Sequence, residues 1–327
     1  MSISDGPYYE DMQKGLIFPA PPAVVLDSGL ASVYQSIAGE ALPLVLDPKL
    51  CGEVTGIEQR IVSPGLLLHL SIGASTVATK KVIANLFYRN VRILRPVFLG
   101  EVLHTTTEVV ALQDSHSTGK GVLRGKVLLK ITTYANDEKV LEYYRAPLVR
   151  LKGKELPGHN DDLGSDSDLN LNEYQQASYE DWKLSSLRKY EQRIPSEVIN
   201  DPLKDVVDQA LPLVRLTQNV ASVHRDVHAS PYPNRLVYGG HTVALAQASL
   251  SRVFTNTATI LGWHLCNHTG PVFEGDLLSF QHEVVDTQSY GSGNISAVCS
   301  RVFVHSCLLY TSPSPRDYAA SRMPSSA

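Results

Sequence analysis

Two polar side chains and a pair of glycines stand close together in the second half of the chain. Asn219 and His224 lie at the end of an apolar segment, and Gly239 and Gly240 follow them. The glycines open a run of helical hydrophobic period over residues 243–253. A helix that starts on glycine leaves backbone N–H groups uncovered, with the positive end of the helix dipole behind them. An imidazole, an amide and an oxyanion-binding helix end are the groups that thioester chemistry requires.

The composition indicates a globular chain without a strong charge bias. The 327 residues suffice for two domains or one large one, 43% of them are hydrophobic, and the formal net charge is -4. This charge gives no reason to expect a nucleic acid partner. The sequence has no long apolar run and no signal-peptide pattern at its start, so we expect no membrane association and a cytoplasmic location. Free thiols are expected, because C-x-x-C spacing is absent from the cysteines: Cys51, Cys266, Cys299 and Cys307.

The first half of the chain predicts a long helix followed by strands. Asp27 and Ser28 predict an N-cap for a helix over 29–37, and Pro64 with Gly65 opens an apolar helix over 66–77. Four runs rich in alternating or β-branched residues predict strands over 82–94, 102–112, 121–134 and 139–151. The stretch between the two helices is expected to be irregular. We predict an N-terminal domain over 1–152 and a polar, Gly- and Asp-rich linker over 153–177.

The second half repeats the order of the first. Gly65 corresponds to Gly240, and segment 95–103 corresponds to 270–278, both at an offset of 175 positions. Two landmarks at one offset predict an internal duplication. A long helix wrapped by an antiparallel sheet, present twice, predicts an α+β double hotdog of two tandem hotdog domains.

The second copy, predicted over 178–306, ends before any counterpart of the strand over 139–151. Residues 307–327 are rich in Ser and Pro and resemble translated sequencing-library adapter DNA. We expect them to be a non-native tail after truncation near Ser306, which would leave an unpaired sheet edge. A natural Ser/Pro-rich tail is the alternative.

The second copy resembles the MaoC-like, R-specific enoyl-CoA hydratase family. The family motif is Asp-x-Asn-Pro-x-His, followed by a strand and a glycine-started helix. Its four defined positions fall, in order, on Asn219, Ala221, Ser222 and His224. Only the histidine is retained, and loss of the aspartate removes one of the two bases that the family motif implies.

Three segments are similar to the mesaconyl-CoA hydratase branch of that family. These segments are 216–224, 235–241 and 271–276. In that branch Asn likewise replaces the Asp, and Tyr-Gly-Gly-His recurs. The resemblance covers roughly residues 8–305. It implies reversible addition of water to an enoyl-CoA, such as mesaconyl-CoA.

Water addition to an α,β-unsaturated thioester needs a base for water, a proton for Cα and a donor for the enolate-like oxygen. His224 could serve both proton transfers, since an imidazole changes protonation near neutral pH. Asn219 cannot accept a proton, but its amide could hold the water or fix the His224 tautomer. Gly240 N–H, with Gly239 and His241 beside it, is expected to bind the thioester oxygen.

Further residues are candidates for substrate contact. Arg235 could pair with a substrate carboxylate or a CoA phosphate, or could simply be solvated, and Tyr238 directly precedes the glycines. Val45 occupies the histidine position in the first copy, which is therefore predicted to lack catalysis. A loose basic group could meet CoA phosphates or lie solvated near a helix end: Lys80, Lys81, Arg92 and Arg95.

No metal site is predicted. Neither candidate histidine group has the spacing of a complete ligand set: His224, Asp226 and His228, or His264 and His268. The family resemblance implies no cofactor beyond the CoA carried by the substrate, and it implies a homodimer. Two alternatives stay open, a hotdog thioesterase that releases free thiol and a non-catalytic acyl-CoA-binding protein.

Overall fold

The computed structural model describes residues 6–115, 123–190, 198–230 and 232–305. The helices of the first copy are α1 (Ser28–Ala38), α2 (Pro43–Leu46), α3 (Pro48–Thr55) and α4 (Pro64–Ser75). Its strands are β1 (Ile17–Phe18), β2 (Val24–Val25), β3 (Val82–Ile93), β4 (Val102–Ser115), β5 (Arg124–Ala135) and β6 (Glu138–Arg150).

The second copy follows the linker with the same succession of a buried helix and strands. Its helices are α5 (Ala177–Glu180), α6 (Ala210–Leu216) and α7 (Gly239–Val253). Its strands are β7 (Ile199–Asn200), β8 (Asp205–Val206), β9 (Gly262–Asn267), β10 (Leu277–Tyr290) and β11 (Gly293–His305). The predicted tail over 307–327 lies outside the described residues.

The two helices predicted for the first copy are confirmed. The Asp27 carboxylate accepts a hydrogen bond from the Leu30 N–H at 2.7 Å and so begins α1. The Ser63 hydroxyl accepts one from the Leu66 N–H at 3.3 Å and begins α4. Almost every residue of α4 is buried, because an apolar helix must be covered on all sides. Helix α4 is therefore the central helix of the first hotdog.

One antiparallel sheet joins the two copies. The sheet has seven strands. Six of them follow the order β1-β4-β5-β6-β3-β9, and the seventh, β2, pairs with β4. The pairing of β3 with β9 places Phe87 opposite Asn267 and Arg92 opposite Gly262. At the offset of 175 positions, Phe87 of the first copy corresponds to Gly262 of the second, and Arg92 corresponds to Asn267. Phe87 is therefore paired with the counterpart of Arg92, and Arg92 with the counterpart of Phe87, so the two copies are related by a pseudo-twofold axis between β3 and β9, as two hotdog subunits would be.

The second sheet is smaller and consists of β11, β10, β7 and β8. In the first copy, β6 pairs with both β5 and β3. Among residues 6–305, as far as they are described, no strand connects β11 to β9 in the same way. Much of β11 is exposed as a result. The predicted loss of a strand after Ser306 stays a prediction, because that part of the chain is not described.

The segment between α1 and α4 is more regular than expected. Pro43 and Pro48 occupy the first turns of α2 and α3. The Asp47 carboxylate accepts from the Lys49 and Leu50 N–H groups at 3.0 and 3.1 Å. Two short helices replace the expected irregular stretch because each proline lies at a helix start, where its missing N–H is not required.

Other expectations concern location and thiol state. No helix among the described residues is long and apolar enough to cross a membrane. The three described cysteines, Cys51, Cys266 and Cys299, are free.

The end of the predicted linker is not a solvated spacer, since Leu171 and Tyr174 are buried with Ile295 in one apolar cluster.

The close approach of Thr217 to Gly73, which joins the two copies, predicts an effect on stability. A methyl group at Gly73 in α4 would overlap the backbone carbonyl of Thr217, which cannot move without displacing the following loop. We expect Gly73→Ala to lower the free energy of unfolding by about 1–3 kcal/mol. The matched control is Gly52→Ala in α3, where the nearest atom to an added Cβ is 3.6 Å away. That change should stabilise by up to ~1 kcal/mol through helix propensity. Urea denaturation of both variants tests this, and equal effects would contradict it.

Candidate active site

A cavity of about 1400 Å³ lies between the two copies. Four of the residues selected from the sequence line it: Asn219, His224, Tyr238 and Gly239. Gly240 and His241 are buried behind this surface. The first copy contributes the opposite wall from α4, β3 and β6. The candidate site is therefore built by both copies.

Asn219 lies in a tight loop just beyond α6. Gln218 adopts a left-handed backbone conformation with φ 54°, which ends the helical path. The Asn219 Oδ1 accepts from the Ala221 N–H at 2.9 Å, and the Asn219 carbonyl accepts from the Arg225 Nε at 2.6 Å. The Asn219 Nδ2 is buried without a hydrogen-bond partner. The side chain thus presents a free amide donor at the cavity wall.

The first copy fixes this loop in space. The Val220 N–H donates to the Thr76 Oγ1 at 2.9 Å, just past the end of α4. The Ser222 hydroxyl donates to the Lys80 carbonyl at 3.0 Å. Since the loop has little regular structure of its own, these contacts determine where Asn219 and His224 point.

His224 closes a short 3-10 helix, Ser222–His224. Its Nδ1 is 3.0 Å from the Leu236 carbonyl oxygen. A carbonyl can only accept, so Nδ1 carries the proton and Nε2 keeps its lone pair. Burial lowers the pKa of His224 to about 4, an effect that the Leu236 carbonyl opposes and the Arg145 charge adds to. The imidazole is therefore neutral at physiological pH and can act as a base.

The first turn of α7 offers uncovered N–H groups. Tyr238 precedes the helix and provides no side-chain cap. The His241 N–H already donates to the Tyr238 carbonyl at 2.8 Å, whereas the described residues provide no partner for the Gly239 and Gly240 N–H groups. An added Cβ at Gly239 would lie 2.6 Å from the His268 Cε1, and one at Gly240 would overlap the Tyr238 ring. Both positions require glycine for steric reasons.

Three further buried groups at the cavity lack hydrogen-bond partners. These are the Tyr238 hydroxyl, the Gln247 Oε1 and the His268 Nε2. Burial raises the pKa of Tyr238 well above its ordinary value, so the hydroxyl keeps its proton and can donate. Burial and the nearby Arg145 charge lower the pKa of His268 to about 4. The His268 ring contacts the Tyr88 ring, with centroids 5.4 Å apart.

Sequence reasoning missed three cavity residues. His268 was considered only as a metal ligand, and Tyr88 and Arg145 were not selected, because no motif marks them. Their role arises from β3, β6 and the segment after β9, which tertiary structure brings to one wall. The burial of Arg145 is unusual for an arginine, but it is visible only in the structure.

Several sequence candidates lie elsewhere. Arg235 does not line the cavity, and it forms an ion pair with Glu274. Arg92 and Arg95 of the predicted basic group pair with Glu142 and Glu101. Among the described residues, no group of three or more His, Cys, Asp or Glu side chains could hold a metal ion.

The matching region of the first copy differs chemically. Val45 is buried in α2, where it can neither accept nor donate a proton. Glu40 lies at the position that corresponds to Asn219 and is hydrogen-bonded by the Gln247 amide. Burial raises the pKa of Glu40 to about 7. This region holds no histidine at the motif position.

Two fused hotdogs with one polar cluster at a helix N-terminus define a double-hotdog protein. A solved structure from Mycobacterium tuberculosis, a conserved hypothetical protein with a double hotdog fold, is 36% identical. The alignment covers 94% of each chain, with a TM-score of 0.84. A putative MaoC domain dehydratase from Chloroflexus aurantiacus is 22% identical, with a TM-score of 0.80 over 96% of this chain and 92% of that one.

Curated relatives are similar over most of the chain, although no protein-family model matches it. The beta-methylmalyl-CoA dehydratase of Chloroflexus aurantiacus is 26% identical over 294 residues, 86% of this chain and 82% of the relative. The mesaconyl-CoA hydratase of Cereibacter sphaeroides is 26% identical over 316 residues, 92% of this chain and 90% of the relative. The chain is therefore a double-hotdog protein, and it is similar over most of its length to a MaoC domain dehydratase and to hydratases and dehydratases of CoA esters. Both curated relatives are, by their names, enzymes of the hydratase/dehydratase type.

The neutral state of His224 makes stability depend on pH. Its pKa is about 4 in the folded protein and 6.5 in an unperturbed histidine, so the unfolded state binds more protons between these values. The free energy of unfolding therefore falls as the pH is lowered from 7 to 5. His224→Gln removes this group, so the decrease in the free energy of unfolding between pH 7 and pH 5 should be smaller in the variant by about 2 kcal/mol.

Urea denaturation at both pH values measures this difference. His228→Gln, an exposed substitution in the following turn, controls for the exchange of His for Gln. Equal pH dependence in wild type and His224→Gln would contradict a neutral imidazole at position 224 of the folded protein.

Proposed function

We propose that this protein adds water reversibly to the double bond of an α,β-unsaturated acyl-CoA, with mesaconyl-CoA as the substrate. The observation that carries the proposal is the hydrogen bond of His224 Nδ1 to the Leu236 carbonyl. It leaves the Nε2 lone pair of a neutral imidazole available at the cavity, beside the unpaired Asn219 amide. One working site per chain follows, since Val45 replaces the histidine in the first copy.

In the hydration direction, His224 Nε2 accepts a proton from water while the oxygen bonds to Cβ. The C=C electron pair moves toward the thioester, and negative charge develops on its carbonyl oxygen. The imidazolium then returns the proton to Cα, so the net reaction adds H and OH. The Asn219 Nδ2 donates to the attacking water and orients it, because this amide cannot itself accept a proton.

The developing enolate oxygen requires donors that are already in place. The Gly239 N–H group meets this requirement at the positive end of α7, with Gly240 behind it and His241 held in place by its bond to Tyr238. The Tyr238 hydroxyl adds a second protonated donor at the same wall. The sequence predicted this role for Gly240, whereas Gly239 lines the cavity and Gly240 does not.

The choice of mesaconyl-CoA rests on the curated relatives. Mesaconyl-CoA hydratase and beta-methylmalyl-CoA dehydratase are names for the two directions of one reaction class on a branched dicarboxylic thioester. The Asn at the motif aspartate and the Tyr-Gly-Gly-His segment support the same branch. CoA arrives with the substrate, and the mechanism assigns no step to a separate cofactor.

The activity is tested by following enoyl absorbance and free thiol together. Wild type should consume mesaconyl-CoA without thiol release, because water adds to Cβ and the thioester stays intact. His224→Gln should lower kcat/KM by roughly 10³-fold, since it removes the general base. His228→Gln is the matched control and should retain wild-type turnover, because its side chain is exposed.

Each other result has a definite meaning. Thiol release would identify a thioesterase and contradict hydration. Tight binding without turnover would contradict catalysis and favour an acyl-CoA-binding protein. Full activity of His224→Gln would remove His224 from the mechanism while leaving the reaction type intact.

A further inference from the structure

We infer that Arg145 binds a carboxylate at the distal end of the acyl group and thereby selects dicarboxylic acyl-CoA substrates. This inference deepens the proposed function, on which it rests. Arg145 lies on β6 of the first copy and lines the cavity shared with His224. It is 3% exposed, and no other arginine or lysine of the described chain is buried to this degree.

The described residues give Arg145 only neutral hydrogen-bond partners. Its Nη1 donates to the Ser75 hydroxyl at 2.7 Å, and its Nε donates to the Asn85 Oδ1 at 3.2 Å. No described carboxylate lies within 4 Å of its guanidinium. Less buried arginines such as Arg92 and Arg252 pair with carboxylates. A buried cation without a counterion is costly, and an anionic ligand would remove that cost.

The position of Arg145 fits the acyl end of a substrate. Its partner Ser75 directly precedes Thr76, which accepts the hydrogen bond from the loop that carries Asn219. On its other side Arg145 lies over the Tyr88 ring, 6.0 Å from the centroid, and Tyr88 contacts His268. His268 in turn packs against Gly239 at the start of α7. Arg145 thus faces the same space as the groups assigned to the reaction.

A CoA phosphate is a poor match for this cation. The phosphates of CoA are large, multiply charged and hydrated, whereas Arg145 is almost fully enclosed by the cavity wall. A single carboxylate near the reacting carbons can accept two parallel N–H bonds from guanidinium in such a space. The Arg145 charge lowers the pKa values of His224 and His268, which agrees with a location of the guanidinium near both rings.

The test compares kcat/KM for mesaconyl-CoA with that for crotonyl-CoA, which lacks the second carboxylate. Arg145→Gln should lower the ratio of these two values by ~100-fold, because truncation of one partner of a buried charge pair costs several kcal/mol. Arg150→Gln is the matched control on the same strand, where the guanidinium donates to the Ala229 carbonyl outside the cavity lining. Its ratio should stay at the wild-type value.

A second variant guards against misfolding of Arg145→Gln. Asn85→Asp keeps the arginine and places a carboxylate at its Nε, so that the protein supplies the counterion itself. The preference for mesaconyl-CoA should then fall as well, by at least ~10-fold. An unchanged ratio of the two kcat/KM values in both folded variants would overturn the assignment, even if activity on both substrates fell equally.

Binding of saturated, unreactive analogues separates this inference from the proposed function. Wild type should bind succinyl-CoA ~100-fold more tightly than butyryl-CoA in calorimetry, and Arg145→Gln should abolish the difference. If neither enoyl-CoA is hydrated but this binding difference is present, the hydratase proposal fails and the carboxylate site stands. If crotonyl-CoA is hydrated and succinyl-CoA binds no better than butyryl-CoA, the hydratase stands and the carboxylate site is wrong.

Discussion

The site depends on the contact between the C-terminal end of α4 and the loop that carries Asn219 and His224. Gly73 allows the Thr217 carbonyl to approach the helix, and Thr76 then accepts a hydrogen bond from the next part of the loop. The loop itself contains a left-handed residue and one turn of 3-10 helix. Hydrogen bonds within the loop, such as that of the Arg225 Nε with the Asn219 carbonyl, set its local shape, and the contact with α4 fixes its position against the first copy.

Burial gives the polar groups at the cavity their chemical properties. Removal of His224 from water favours the neutral imidazole, and the Leu236 carbonyl selects the tautomer that leaves Nε2 free. The same burial keeps the Tyr238 hydroxyl protonated. Buried polar atoms normally find partners, so the unpaired Asn219 Nδ2 and His268 Nε2 indicate where a ligand would complete the hydrogen bonding.

Duplication has allowed the two copies to diverge. The second copy contains the histidine, and the first contains Val45 in its place. The first copy nevertheless contributes Tyr88 and Arg145 to the shared cavity, on strands that continue into the second copy through β9. In the proposed mechanism one half supplies the reacting groups, and the other half recognises the substrate.

The sequence by itself predicted the double-hotdog architecture and selected four residues that line the cavity, namely Asn219, His224, Tyr238 and Gly239. Local rules sufficed for α1 and α4, where Asp27 and Ser63 cap helices, and for the strands, where side chains alternate. The constant offset between Gly65 and Gly240 predicted the duplication without knowledge of any contact.

Tertiary structure decided the rest. Arg145, Tyr88 and His268 come from separate elements, and no local pattern distinguishes them from other strand or loop residues. Their proximity to His224 results from the pairing of β3 with β9 and from the packing of the two copies around one cavity. Long-range contacts of this kind are not encoded in any short segment, because each side chain acquires its partners, its burial and its pKa only when distant segments meet.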